Sequence, residues 1–231
     1  MQETDKVRLI KILGIKDGST VHSLIDSSID ALPLIGKIHS AYKMANLKRR
    51  VNGIETRLSA LSITMYENDN KLLNQFIRDK AFPIVLDELL AEHEEEKIDL
   101  VVNGLEYTYN EEITEVSKIL VYFDVLRELR IQELKKLITY SDHYKKHWKT
   151  PKLEVSLPDP EDKEGMKKLN ENTGYKAYID NHLTTLGLTF KKETTKWYST
   201  ETSGYEVVLT DFGEHFIEFF NLEVMAQIPA E

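Results

Sequence analysis

Cysteine is absent from all 231 positions. That removes disulfides, thiolate nucleophiles and every cysteine-based metal or iron–sulfur site, and it leaves a reducing cytoplasm open to the chain. A secretory signal is not read either. Met1-Gln2-Glu3-Thr4-Asp5 is acidic and polar, where a signal has a basic head and then an unbroken apolar run. The expected location is the cytoplasm. Long apolar runs are missing too. Leu24, Ala31, Ile35, Ile38 and Tyr42 fall near the spacing of one helical face, but Pro33 and Gly36 interrupt them and Asp26, Asp30 and Lys37 lie among them. No stretch of about 18 apolar residues is left to span a bilayer. Two shorter helices meeting near Leu32-Pro33 fit better, packed in a core with a basic solvated end. A membrane-active alternative stays open, with residues 21–42 leaving the core and Lys43, Lys48, Arg49 and Arg50 facing anionic lipid.

An excess of positive charge is also lacking. The formal net charge of -9 argues against indiscriminate coating of nucleic acid, which needs surplus Lys and Arg to displace counterions. The charge is nevertheless distributed in blocks. Lys37, Lys43, Lys48, Arg49, Arg50 and Arg57 face Glu55 alone, and between residues 67 and 115 fourteen acids oppose Lys71, Arg78, Lys80 and Lys97. A second basic block holds Arg127, Arg130, Lys135, Lys136, Lys145, Lys146, Lys149 and Lys152. Such alternation suits self-assembly, intramolecular docking or a localised anion site.

Signatures of catalysis are missing as well. There is no Gly-x-Ser-x-Gly elbow, no dinucleotide glycine fingerprint and no kinase set. Gly14-Ile15-Lys16-Asp17-Gly18-Ser19-Thr20 fails as a phosphate loop, because no lysine follows the second glycine and no strand leads into it. His143 and His147 stand one helical turn apart with Asp142 as a neighbour, but no glutamate follows the first histidine and Lys145, Lys146 and Lys149 would repel a cation. Glu92-His93-Glu94-Glu95-Glu96 reads as a solvated helix end, and pairs such as Asp87-Glu88 as ordinary helix surface. The expectation is a non-enzyme with no cofactor and no metal; a small-molecule ligand is left undefined.

What is present is helix. Leu47, Val51, Ile54, Leu58 and Leu61 recur at three and four residues, and five aligned apolar positions outweigh the cost of about 1 kcal/mol at Gly53. A second helix is expected over residues 70–92, bent or divided by Pro83 near Ala81, a third over 98–109, and a further helical pattern over 111–138. Pro151, Pro158 and Pro160 prevent a continuous helix and mark a connection, in which Leu153, Val155 and Leu157 alternate as an edge strand would. No repeat of about 20–50 residues is visible. The domains expected are a helical bundle over 1–149, the proline-rich connection over 150–160, and a terminal module over 161–231.

The terminal module reads as a small winged helix. A helix with Tyr178, Ile179, His182, Leu183 and Leu186 as its inward and flanking set stops at Gly187, which supplies a left-handed residue. Thr189-Phe190-Lys191, Lys196-Trp197-Tyr198 and, after Ser203-Gly204, residues 205–209 hold strand-favouring side chains of a hairpin. Thr210 then caps a final helix with Phe212, Phe216, Ile217, Phe219 and Phe220 on its apolar face. On nucleic acid, the helix from Tyr175 would enter the major groove while Lys191, Lys192 and Lys196 touched phosphates. The candidate contact residues are Lys191, Lys192, Lys196, Trp197, Lys176 and Asn181, extended by Lys145, Lys146 and Lys149.

Leu32-Pro33-Leu34-Ile35-Gly36 ahead of Leu47-Lys48-Arg49-Arg50, together with Leu186-Gly187-Leu188 and Leu209-Thr210-Asp211-Phe212-Gly213-Glu214-His215-Phe216-Ile217, resembles the Abi-alpha type of bacterial proteins. The resemblance covers the two ends of the chain, carries no catalytic residue over, and implies an abortive-infection, phage-defence or prophage setting. The chain is therefore expected to be mainly α, a bundle followed by a winged-helix-like α+β module that docks onto a protein partner, a second copy or nucleic acid. A dimeric DNA-binding transcriptional regulator is the first alternative, and the membrane-active effector using residues 21–42 is the second.

Overall fold

The regular spacing of Leu47, Val51, Ile54, Leu58, Leu61 and Met65 produces one long helix, α1 (Ala41–Glu67), which buries all six. The computed structural model describes residues 41–147, 159, 162–194 and 204–227. Most of the 21–42 segment, the Gly14–Thr20 stretch and the proline-rich connection except Asp159 lie outside the described residues. The protein is mainly helical with one two-stranded antiparallel sheet. Among the described residues no helix is long and apolar enough to cross a membrane.

The chain forms two compact units, Met1–Glu128 with Phe219–Asn221, and Leu129–Glu218 with Leu222–Glu231. In the first, α1 is followed by α2 (Lys71–Phe76), which Asn70 caps by accepting from Leu73 N at 3.1 Å. A turn of π-helix, Ile77–Ala81, then leads into α3 (Phe82–Ala91) with Pro83 in its first turn. In a regular α-helix the Pro83 ring would press on the carbonyl four residues back; widening the preceding turn relieves that clash, so the helix is deformed rather than divided.

The acidic run after α3 is only in part a solvated end: His93, Glu95 and Glu96 are exposed, whereas Glu92 and Glu94 turn toward a buried lysine. Lys97 is 1% exposed and extends its ammonium to Leu126 O at 3.0 Å, with Glu92 at 3.3 Å and Glu94 at 3.4 Å. Burying an ammonium is costly without such partners, and this one ties the loop to the last turn of α5 (Val116–Glu128). Arg50, itself buried, donates to Leu89 O at 2.6 Å and to Glu95 Oε1 at 2.6 Å. Glu88 is buried as well and binds Arg127, so its expected place on a helix surface is corrected. For Glu88 and Glu95 the basic partners, Arg127 and Arg50, come from other helices far away in sequence, whereas Glu92 and Glu94 meet Lys97 of the same stretch.

The helix expected over 98–109 is α4 (Ile98–Asn110). The pattern over 111–138 is not one helix but α5 and α6 (Ile131–Ile138). Residues 111–115 form the turn before α5, where Glu112 takes a positive φ of 49°. At Arg130 the backbone turns extended, and Glu133 Oε2 accepts from Arg130 N at 2.7 Å to start α6. Phe219 and Phe220 complete the core of the first unit: Phe219 stacks on Tyr122 with centroids 4.3 Å apart, and both rings meet Phe123 edge-on. A Cβ on Gly104 would come within 2.8 Å of Phe219 and 2.9 Å of Phe220, so only glycine lets these rings pack on α4.

The second unit contains α6, α7 (Asp142–His147), α8 (Lys163–Thr185), the strands β1 (Thr189–Thr194) and β2 (Gly204–Leu209), and a final helix α9 (Asp211–Phe220), whose last two residues belong to the first unit. A 3-10 segment, Leu222–Gln227, follows and packs on α6.

Candidate functional site

The C-terminal module is built from local signals that the sequence carries openly. Gly187 ends α8 with φ 74°, and Leu188 N closes on Leu183 O at 3.0 Å. Two residues later the chain becomes β1, whose register with β2 places Thr189 opposite Leu209, Lys191 opposite Val207 and Lys192 opposite Glu206. Thr210 joins both ends of the hairpin. Its hydroxyl donates to Gly187 O at 2.6 Å and accepts from Gly213 N at 2.9 Å, capping α9. Gly213 has no alternative at this corner, because a Cβ there would lie 2.1 Å from Leu188 O.

Side-chain bonds from α6 and the turn after it hold α8 in place. Buried Glu133 binds His182 Nδ1 at 2.7 Å through the oxygen not used on Arg130 N, and Tyr140 donates to Asp180 at 2.5 Å. Burial, and then the neighbouring carboxylate of Asp180, push the Tyr140 phenol well above its ordinary range, so it stays a proton donor. Ile179 and Leu183 are buried below these bonds. Earlier in α8 the situation changes: no residue between 163 and 178 is buried, over about four turns of helix.

Of the nine candidate contact residues, the structure brings two together. Lys191 Nζ donates to Asn181 Oδ1 at 2.8 Å, linking β1 to the outer face of α8. Lys176 is exposed but lies five positions before Asn181, roughly 140° around the helix, and so presents to a different side. Lys192 is exposed on the opposite face of the hairpin from Lys191. Lys145 is exposed, 3.9 Å from Asp142 on its own helix, and Lys146 is exposed beside it. Lys149, Lys196 and Trp197, with the strand expected around them, lie outside the described residues. Among the described residues no group of three or more His, Asp or Glu is arranged to hold a metal ion, and His143 lies 3.7 Å from Glu223.

Four aromatic side chains stand out on this module. Tyr175, Tyr178, Phe190 and Tyr205 are 54%, 59%, 46% and 63% exposed. Tyr178, expected to flank the core, instead faces out and stacks on His182. The position of Phe190 is legible from strand alternation, since Thr189 next to it is buried and the side chains of a strand point alternately. The Glu133–His182 and Tyr140–Asp180 bonds were not foreseeable, because 49 and 40 residues separate the partners. No known protein family, curated protein or solved structure matches the chain.

Proposed function

We propose that this chain is a non-enzymatic docking protein that engages a protein partner, or a second copy of itself, through the exposed surface of its C-terminal module. The observation that carries this is the set of half-exposed aromatic side chains Tyr175 and Tyr178 on α8 and Tyr205 on the Lys191 face of the hairpin, Phe190 being exposed on the other face. Large aromatic rings contribute disproportionately when a partner buries them, and they are enriched at interfaces for that reason. The order α6, α7, α8, β1, β2 supports a winged-helix reading, in which α8 would take the recognition position and the hairpin would be the wing. The resemblance to the Abi-alpha type supplies a phage-defence or prophage setting.

Sequence-specific reading of DNA is less well supported. The amide of Asn181 is engaged by Lys191, Lys192 pairs across the sheet with Glu206, and α8 has no arginine. Base recognition relies on free amides and on arginine, and phosphate contact on unopposed cations. Affinity purification of the full chain with and without nuclease tests the proposal. A protein, or the chain itself, should co-purify in equal yield after nuclease treatment. Association that disappears with nuclease would transfer the function to nucleic acid.

A further inference from the structure

On α1 the face turned away from the bundle core is as regular as the buried one. Leu47, Val51, Ile54, Leu58, Leu61 and Met65 alternate steps of four and three residues, and all are buried. Arg49, Gly53, Thr56, Ala60, Ile63 and Glu67 repeat that alternation two positions later, about 200° round the helix, and all are exposed. A repeat averaging about 3.5 residues keeps one helix in register against another along its whole length. The inner stripe meets α3 and α4; the outer one is uncovered. The middle of the outer stripe combines a gap with a knob. A Cβ on Gly53 would meet nothing within 4 Å, whereas Ile63 is 49% exposed and Tyr66 beside it 90%. Its two ends carry opposite charge. The side chain of Arg49 is 61% exposed and uses one nitrogen on Glu95 at 2.9 Å, which leaves further donors of the guanidinium, and Glu67 is exposed at the other end.

We propose that two copies of the chain pair through this face, α1 against α1, antiparallel about a two-fold axis at the level of Leu58. Arg49 and Glu67 lie nine residues to either side of that level, Gly53 and Ile63 five, and Thr56 and Ala60 two. An antiparallel second copy therefore sets Glu67 opposite Arg49, Ile63 opposite Gly53 and Ala60 opposite Thr56, each twice by symmetry. The bulkiest side chain of the stripe enters the one position that has none, and unlike charges meet at both ends. Parallel pairing would bring Arg49 against Arg49 and Glu67 against Glu67. An anionic lipid surface would attract Arg49 and repel Glu67. Self-complementarity of charge and shape about one point selects a second copy as the occupant. The contact lies within the first unit and is separate from the docking surface of the second.

Analytical ultracentrifugation of the full chain between about 1 and 500 μM tests the pairing. A reversible monomer–dimer equilibrium is expected. Ile63→Asp, which would bury an unpaired charge twice per dimer, should weaken it about tenfold or more with an unchanged circular dichroism spectrum. Arg49→Glu and Glu67→Arg should each weaken it about tenfold, because like charges then meet at both ends. An equimolar mixture of those two variants should regain the wild-type dissociation constant, since both ends of the mixed dimer again join unlike charges. A monomer throughout the range would overturn the proposal and leave the face to a different protein. A dimer indifferent to Ile63→Asp, or a mixture that associates no better than its components, would overturn it as well. A dimer lost instead in the Tyr175→Ala, Tyr178→Ala, Tyr205→Ala chain would move self-association to the second unit, against this proposal and in favour of docking there.

Discussion

Single residues in this protein carry opposite prospects even when they are of the same type. Gly53 faces solvent on α1 and a Cβ there would meet nothing within 4 Å. Gly53→Ala should therefore raise stability by about 0.5–1 kcal/mol in urea unfolding, through lower backbone entropy in the unfolded chain. Gly104→Ala should lower it by about 1–3 kcal/mol, because the new methyl would have to displace the rings of Phe219 and Phe220. Ionisable residues divide in the same way. Burial raises the pKa of Glu88 from its ordinary 4.5, and the Arg127 guanidinium offsets part of that. A raised carboxyl favours the folded state at low pH and loses that contribution as pH rises through its folded value. Arg127→Ala should accordingly cost about 1–3 kcal/mol near neutrality and progressively less on acidification, with Glu88→Gln restoring the loss. Glu95 behaves in reverse: hydrogen bonds from Arg50, then from Arg49, lower its pKa, so its contribution is present above 4.5 and lost as pH falls through the depressed value. With its side chain about half exposed, solvent screening keeps that contribution small.

Among the helical elements, those with strict apolar spacing were legible and those that turn through side-chain bonds were not. α1 followed from Leu47, Val51, Ile54, Leu58 and Leu61, and the stop at Gly187 and cap at Thr210 followed from residue type alone. The break between α5 and α6 was hidden, because Leu126, Leu129, Leu134 and Leu137 keep apolar positions running through it while Glu133 resets the helix at Arg130. α8 shows a different limit. Gly165, Asn170, Asn172, Thr173 and Gly174 are weak helix formers, and no residue before Ile179 is buried. Such a segment gains little from propensity or packing. Backbone amides of residues 163–178 should exchange with deuterium far faster than those of residues 179–185, and a bound partner should slow them; equal protection in the free protein would contradict this. Glu133→Gln, which weakens the bond to His182 at the packed end, should speed exchange in residues 179–185 as well.

For the whole molecule, composition and spacing gave the mainly helical architecture and the small sheet, since both depend on patterns within about 20 residues. The ion pairs Arg50–Glu95, Arg127–Glu88 and His182–Glu133 were out of reach, because each joins residues 39 to 49 positions apart. The candidate lysines were read as one surface because they are neighbours in sequence or type, yet a helix turns Lys176 away from Asn181, and a strand turns Lys192 away from Lys191. The exposed aromatic residues are the better guide to where a partner would sit. The most direct measurement is quantitative capture of nuclease-treated partners by the full chain and by a Tyr175→Ala, Tyr178→Ala, Tyr205→Ala variant of unchanged melting temperature. The account predicts that the wild-type chain retains a protein, or its own copy, and that the variant loses about tenfold or more of that affinity. Equal retention by both chains would contradict it.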